Sequence, residues 1–287
     1  DSNWNTAFNG QPLFTAQGPA SLGSARTIVQ PITVAPTVRA NDRKMTVRSG
    51  NDQKTLPVGG MMVSFGTGRN VTKLDESDRN VQTLYSVLDN TRYKLVDGRL
   101  QIHAGESGCS ATAGDCIVAP KALGAGVSNA KLAEQVITDL DNGDFGTVSS
   151  KNADSTLNAS TWVGFNGWYM DLPAVGERLL KNMEFYDGSN ILAVYSQVPA
   201  KGTDVDPNVE SCDSSSVDEE RQYRTLINIM DGKRPSVQLV DKNGDGLYGA
   251  LDVNVSRRKV TKGSHTLITK KNRVTDLDNK NNKELLA

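Results

Sequence analysis

The sequence has few long apolar runs, little excess charge and few histidines. No run of about eighteen apolar residues occurs in its 287 residues, which excludes a membrane-spanning helix within this chain. Thirty-two basic residues oppose thirty-three acidic ones, so the net charge of -1 gives no general attraction to nucleic acid. His103 and His265 lie in no recognisable metal or triad motif, and no GxSxG or HExxH pattern occurs. The sequence therefore favours neither an enzyme nor a nucleic-acid partner.

The residues that are abundant are those that form turns. Aspartate (24) outnumbers glutamate (9), and 23 asparagines, 26 glycines and 10 prolines add further turn material. Short extended runs at residues 61–65, 83–88 and 191–198 are separated by long polar stretches. This spacing favours antiparallel sheets over alternating strands and helices, and it fits either a propeller or a sandwich.

One window, residues 129–140, predicts a helix. Leu132, Val136 and Leu140 recur at a spacing of four, and Ser128 is the candidate N-cap. Residues 270–287 are charged and rich in asparagine, so we expect a polar, frayed C-terminal tail. Residues 1–5 have no basic or apolar signal segment, and we expect any signal peptide to be absent or removed.

Cysteine occurs three times. Cys109 and Cys116 flank a loop of small residues that is flexible enough to bring them together, which predicts a disulfide and an oxidising compartment. Two unpaired thiols are the alternative, and a metal pair is disfavoured. Cys212 remains outside this pair.

The strongest local signal is the segment at residues 241–252. Side-chain oxygens stand at its first, third and fifth positions, a glycine at the sixth, a backbone carbonyl at the seventh and a carboxylate at the twelfth. This spacing wraps the backbone around a hard cation with oxygen ligands, as Ca²⁺ requires. Because the flanking segments read as extended, we predict a calcium loop between strands rather than a helix-loop-helix sensor. The predicted ligands are Asp241, Asn243, Asp245, the Leu247 carbonyl and Asp252.

Two alternatives limit this interpretation. The same segment could be an Asx-rich turn that binds no metal. A second acidic group, Asp139, Asp141 and Asp144, surrounds an Asn-Gly pair and is interpreted as a turn more readily than as a metal site.

Several short motifs occur in a fixed order along the chain. They are PLFTA (12–16), QPITVAP (30–36), MVSFGTGR (62–69), QTLYSVLD (82–89), GWYMDLP (167–173), GER (176–178) and DGKR (231–234). In this order the motifs resemble the PilY1/PilC family of type IV pilus tip adhesins and biogenesis factors. The resemblance covers about residues 4–255 and is to the C-terminal β-propeller region of that family.

The resemblance implies a mainly β fold of propeller-like antiparallel blades, with loop insertions and one short helix. Residues 1–269 would be part of a C-terminal propeller, and residues 270–287 the polar tail. Because the motifs are those of the later blades, we expect a partial propeller from a larger protein. The family's calcium loop is usually shorter, with a carboxylate at the ninth position, where this sequence has Gly249.

The resemblance also implies a function. It implies a Ca²⁺-dependent role in pilus extension and retraction, twitching motility and adhesion, with no catalytic residues. Expected partners are the minor and major pilins, the pilus tip complex and a host or abiotic surface. The expected location is the cell surface, at the pilus tip or associated with the outer membrane, after export through the periplasm. The alternatives are a propeller enzyme of the quinone-dependent dehydrogenase type and a purely structural shell domain.

Overall fold

Strands dominate the computed structural model. The described residues are 8, 10–110, 116–186, 188–200, 220–243, 245, 247–260, 266–270, 273–277 and 284–286. The strands are, in chain order, β1 (Gln17–Pro19), β2 (Arg26–Val29), β3 (Thr37–Ala40), β4 (Lys44–Ser49), β5 (Asp52–Pro57), β6 (Met61–Gly66), β7 (Thr83–Asp89), β8 (Tyr93–Val96), β9 (Arg99–Ile102), β10 (Ala133–Leu140), β11 (Phe145–Ser150), β12 (Gly167–Asp171), β13 (Glu184–Phe185), β14 (Ile191–Val198), β15 (Arg221–Asn228), β16 (Arg257–Val260), β17 (Thr266–Lys270), β18 (Arg273–Leu277) and β19 (Glu284–Leu286). Two short helices, α1 (Lys73–Glu76) and α2 (Gly126–Ala130), accompany them, where the sequence had predicted one.

One large sheet organises these strands. Its order is β13-β14-β15-β16-β11-β10-β12-β7-β6-β3, and its neighbours are antiparallel except for β10 and β12, which run parallel. Small hairpins, β1-β2, β4-β5 and β8-β9, lie outside it. The mainly β fold and the largely antiparallel pairing predicted from the sequence are confirmed.

Side chains connect the two edge strands of this sheet. From β3, the Arg39 guanidinium donates to Asn190 Oδ1 at 2.9 Å and lies 5.0 Å from the centre of the Phe185 ring of β13. The Thr37 hydroxyl donates to the Met183 carbonyl at 3.4 Å. The sheet is therefore nearly closed and barrel-like, which agrees with the partial propeller-like fold expected from the sequence.

The helix predicted over residues 129–140 is wrong. Residues 126–130 form α2, and the chain then enters strand β10. Lys131, with a φ of 54°, adopts the left-handed conformation that ends the helix. Side chains at a spacing of four share one face of a strand as well as of a helix, so Leu132, Val136 and Leu140 suited both structures. Pairing with β11 and β12 decided the outcome.

Trp168 lies in the largest group of buried side chains. Its side chain is fully buried, and its indole Nε1 donates to the Ile229 carbonyl at 2.9 Å. Gly232, at the turn after β15, adopts a φ of 66°, and a Cβ atom there would lie 2.6 Å from the Trp168 ring. The turn therefore requires glycine for its conformation and for this close approach.

One further expectation differs from the structure. Residues 251–255, at the exit of the loop, were expected to be extended, but Ala250–Asp252 forms a turn of 3₁₀ helix. In the C-terminal region, β17, β18 and β19 form a three-stranded sheet. Among the described residues, no helix has the length and apolar character needed to cross a membrane.

Candidate functional site

The loop at residues 241–252 stands on a buried base. Val240 and Val255, at its two ends, are buried in one cluster with Leu239. Gln238 Nε2 donates to the carbonyls of both valines at 3.0 Å, which ties the entry of the loop to its exit. The hydrophobic core therefore fixes the position of both ends of the loop, independently of the conformation of its solvent-exposed side.

Asp252 organises the loop from this base. Its side chain is buried, Oδ1 accepts the Lys242 amide at 2.8 Å, and Oδ2 accepts the Gly249 amide at 2.7 Å. Hydrogen bonds from the backbone amides, with that of Lys242 the most important, lower the pKa of this carboxyl below its usual range. Asp252 is therefore an ionised anchor that holds the loop closed. Gly249, at the ninth position of the motif, contributes its amide to this anchor.

The other predicted ligands lie on the solvent side. Asn243 Nδ2 donates to Asp245 Oδ2 at 2.8 Å, and Asp245 Oδ1 accepts the Leu247 amide at 2.7 Å. Asn243, Asp245 and Leu247 are exposed, and Asp241 is half-buried. Gly246, predicted to permit the tight turn, lies outside the described residues, as does Gly244. The predicted calcium ligands thus belong to one loop. Asp252 lies at its buried base, whereas the other predicted ligands lie toward solvent.

The second acidic group lies next to this loop. Lys242 Nζ is 2.7 Å from Asp141 Oδ2 and 5.9 Å from the centre of the Phe145 ring. Lys259 Nζ is 3.8 Å from Asp144 Oδ1. Because lysines pair with two of its acids, the structure favours the turn interpretation of this group.

The donor chemistry of the loop suits a hard cation. Carboxylate, amide and carbonyl oxygens are the ligands that Ca²⁺ prefers. Among the described residues, the oxygens of Asn243 and Asp245 bond to neighbouring loop groups at the surface, so a cation could replace those bonds without leaving a buried group unpaired. In the described part of the chain, no three aspartate, glutamate, histidine or cysteine side chains are gathered closely enough to hold a metal. The calcium ligand set therefore stays a prediction.

A disulfide joins Cys109 and Cys116, whose Cα atoms are 5.8 Å apart. The middle of the loop that it closes, residues 111–115, lies outside the described residues, and so does Cys212. Disulfides persist in oxidising compartments, so the bond favours a location outside the cytoplasm.

A buried arginine, which the sequence did not single out, closes a second loop at residues 69–78. Arg178 is 2% exposed, and burial lowers the pKa of its guanidinium. Its Nη1 donates to the carbonyls of Arg69 at 2.6 Å and Asp75 at 2.8 Å, and its Nη2 donates to that of Asp78 at 2.9 Å. This loop therefore contains a cation supplied by the protein itself.

Part of this arrangement could have been found in the sequence. Thr72 and Asp75 have the spacing of a capping box, and Asp75 Oδ2 accepts both the amide and the hydroxyl of Thr72. Arg178 comes from a distant part of the chain, and only its place in the GER motif marked it.

The residue before Arg178 forms a buried ion pair. Glu177 accepts two hydrogen bonds of 2.9 Å from the Arg257 guanidinium, and both side chains are almost completely buried. Ser196 also donates to Glu177, and the Arg257 guanidinium lies 3.9 Å from the centre of the Tyr223 ring. The GER motif thus supports the packing of the large sheet.

Comparison with protein families and with curated proteins gives no match. Among solved structures, the chain is similar to the crystal structure of the Pseudomonas aeruginosa PilY1 C-terminal domain, with a TM-score of 0.55 and 20% sequence identity. The similarity covers 97% of this chain and 48% of that one, so this chain spans about half the length of its structural relative. The chain therefore has a PilY1-like C-terminal domain fold, as its sequence motifs implied.

Proposed function

We propose that this chain belongs to a calcium-binding, cell-surface protein of the type IV pilus machinery. In this proposal it acts in pilus extension and retraction, in twitching motility and in adhesion. The supporting observation is the fold similarity to the PilY1 C-terminal domain over 97% of the chain. The ordered sequence motifs, which resemble the same family, support it independently.

The proposed mode of action is binding rather than catalysis. Loops on a rigid β scaffold present a contact surface to pilins, to the pilus tip complex and to a host or abiotic surface. The disulfide between Cys109 and Cys116 supports export through the periplasm to the cell surface.

Calcium would bind at the 241–252 loop. Asp241, Asn243, Asp245 and the Leu247 carbonyl would hold it from the solvent side, while Asp252 fixes the base. Bound Ca²⁺ supplies positive charge that offsets the acidic side chains of the loop. Because Asp252 already orders the base, the effect would be confined to the exposed half, which is the half able to contact a partner.

The test is a pilus assay on a strain that carries Asp245→Ala. We expect reduced twitching and attachment, since the variant removes an exposed carboxylate that would bind calcium and leaves Asp252 in place. Asp154→Ala, which removes an exposed acid outside the loop, is the matched control. Normal twitching and attachment by Asp245→Ala, at normal protein levels, would contradict the role of calcium.

A further inference from the structure

A cavity of about 670 Å³ lies beside the β4-β5 hairpin. It is lined by residues of that hairpin, of the segment that contains the disulfide and of the stretch 162–166, and by none of the described residues of the 241–252 loop. Trp162 and Leu88, which are buried in the hydrophobic core, form its floor. Pockets for small molecules typically have volumes of about 300–1,000 Å³. The cavity is therefore large enough for a ligand and is separate from the proposed calcium site.

Most of the lining of this cavity is apolar. Six of its apolar side chains are half-buried, so each keeps some surface that a ligand could cover: Met45, Val58, Ile117, Val118, Val163 and Phe165. Such a lining, with a few polar groups that orient the ligand, is typical of small-molecule sites. The apolar part of a ligand would be stabilised here by its removal from water.

The wall that follows the disulfide is fixed by hydrogen bonds. The amide of Glu106 donates to the Ile117 carbonyl at 2.9 Å. Asn90 Nδ2, from the opposite side, donates to the Ala119 carbonyl at 3.2 Å. Both half-cystines of the disulfide also line the cavity. This wall is therefore in place before any ligand binds, which lowers the cost of ordering the site on binding.

Two cations lie at the mouth of the cavity. Arg92 and Lys121 line it and are exposed, and no acidic side chain of the described residues lines it. Within the described part of the chain, neither side chain makes an ion pair or a hydrogen bond. The Arg92 guanidinium lies against Gly59, where a Cβ atom would overlap Nη2. An anionic group at the mouth would complement these two cations.

We propose that this cavity binds a single-chain amphipathic carboxylate of the fatty-acid type. The hydrocarbon chain enters the cavity and contacts the half-buried apolar side chains. The carboxylate stays at the mouth and pairs with Arg92 and Lys121. This inference depends on the cavity alone and not on calcium binding.

The probes are octanoate, decanoate and dodecanoate, with decylammonium as the cation of matched chain length. Calorimetric titration of the full chain measures each affinity. We expect decanoate to bind with a Kd below about 1 mM and decylammonium to bind at least about tenfold more weakly. From octanoate to dodecanoate, each added methylene should strengthen binding about threefold, because it is buried in the cavity.

Three variants locate the contacts. Arg92→Gln combined with Lys121→Gln should weaken decanoate binding about tenfold and reduce the preference over decylammonium. Lys94→Gln combined with Arg99→Gln removes two exposed cations of the β8-β9 hairpin that do not line the cavity, and should leave the affinity within about twofold. Val163→Trp should fill part of the cavity and weaken the binding of decanoate and decylammonium alike.

Any of three results with the wild-type chain would overturn the proposal. The first is the absence of decanoate binding at about 1 mM. The second is equal binding of decanoate and decylammonium, which would show that the two cations take no part. The third is equal binding of octanoate and dodecanoate, which would show that the chain does not enter the cavity. None of these results depends on the folding of a variant.

Discussion

Two loops of the molecule, at residues 69–78 and 241–252, are anchored in the same way. In each, an aspartate in the first turn of a short helical segment accepts backbone amides from the residues before it. Asp75 accepts the amides of Val71 and Thr72, and Asp252 accepts those of Lys242 and Gly249. Both carboxylates are buried, and backbone hydrogen bonds lower the pKa of each.

The loops differ in their source of positive charge. In the 69–78 loop, the Arg178 guanidinium donates to three backbone carbonyls, and Arg69 Nε donates to Asp75 Oδ1 at 2.8 Å. In the 241–252 loop, the lysine side chain is directed to Asp141 of a neighbouring turn instead. A loop whose backbone carbonyls are already bound by a cation of the protein needs no external ion. A loop with exposed carboxylate ligands can instead become more ordered when it binds an external cation.

Removing the resident cation should have the largest effect. Arg178→Met leaves three buried or partly buried carbonyls without their donor, so we expect the free energy of unfolding to fall by about 3–5 kcal/mol. Urea denaturation measures this loss. Arg79→Met, an exposed arginine directly after this loop, should cost less than about 1 kcal/mol. Added Ca²⁺ should not restore the Arg178 variant, and full restoration would contradict the distinction between the loops.

Replacing the anchor of the other loop should have a local effect. Asp252→Asn keeps the size of the side chain. Its NH₂ group, however, then faces one of the two backbone amides that donate to the carboxylate in the wild type. We expect faster hydrogen exchange at the Lys242 and Gly249 amides, with little change elsewhere. Asp245→Asn, on the exposed side, is the control and should leave both amides protected. Unchanged protection in Asp252→Asn would show that the loop does not depend on this anchor.

Acid should weaken both loops. The pKa of each aspartate is lower in the folded chain than in the unfolded one, so each contributes stability that is present above the unfolded value of about 3.9. That stability is lost as the pH falls through the folded value. Unfolding measured from about pH 7 down to about pH 3 should show a loss below about pH 4, and it should be smaller in Asp252→Asn. A loss of equal size in the variant would assign the effect to other groups.

The ion pair between Lys242 and Asp141 should matter least. Both side chains are partly exposed, at 31% and 52%, so Lys242→Ala should cost less than about 1 kcal/mol in urea denaturation. A loss well above that value would mean that the neighbouring turn, and not Asp252, positions the 241–252 loop.

Much of the fold could be predicted from the sequence, because it is set by local patterns. The run at residues 191–198 is apolar and β-branched, and it forms β14 over the same residues. The window at 129–140 failed, since a spacing of four suits two structures and pairing with distant strands chose between them. The parallel pairing of β10 with β12 depends on such distant contacts and has no local signature.

The candidate site was less predictable, because spacing reports which atoms can reach an ion and not which are already bonded. Asp252 has the right position in the motif, yet it is buried and bonded to two amides. Apart from its place in the GER motif, Arg178 carries no local signal, since its carbonyl partners Arg69, Asp75 and Asp78 lie about a hundred residues earlier. Burial and distant hydrogen bonds are properties of the folded chain.

Calorimetric titration with Ca²⁺ tests the central claim, that the 241–252 loop takes an external cation and the 69–78 loop does not. The wild-type chain should bind Ca²⁺, and Asp245→Ala should bind it at least about tenfold more weakly, because it loses a charged donor. Glu76→Ala, which removes an exposed acid from the 69–78 loop, should bind as the wild type does. If the wild type binds no Ca²⁺, or if Asp245→Ala binds it equally well, the 241–252 loop is a turn and the account is wrong.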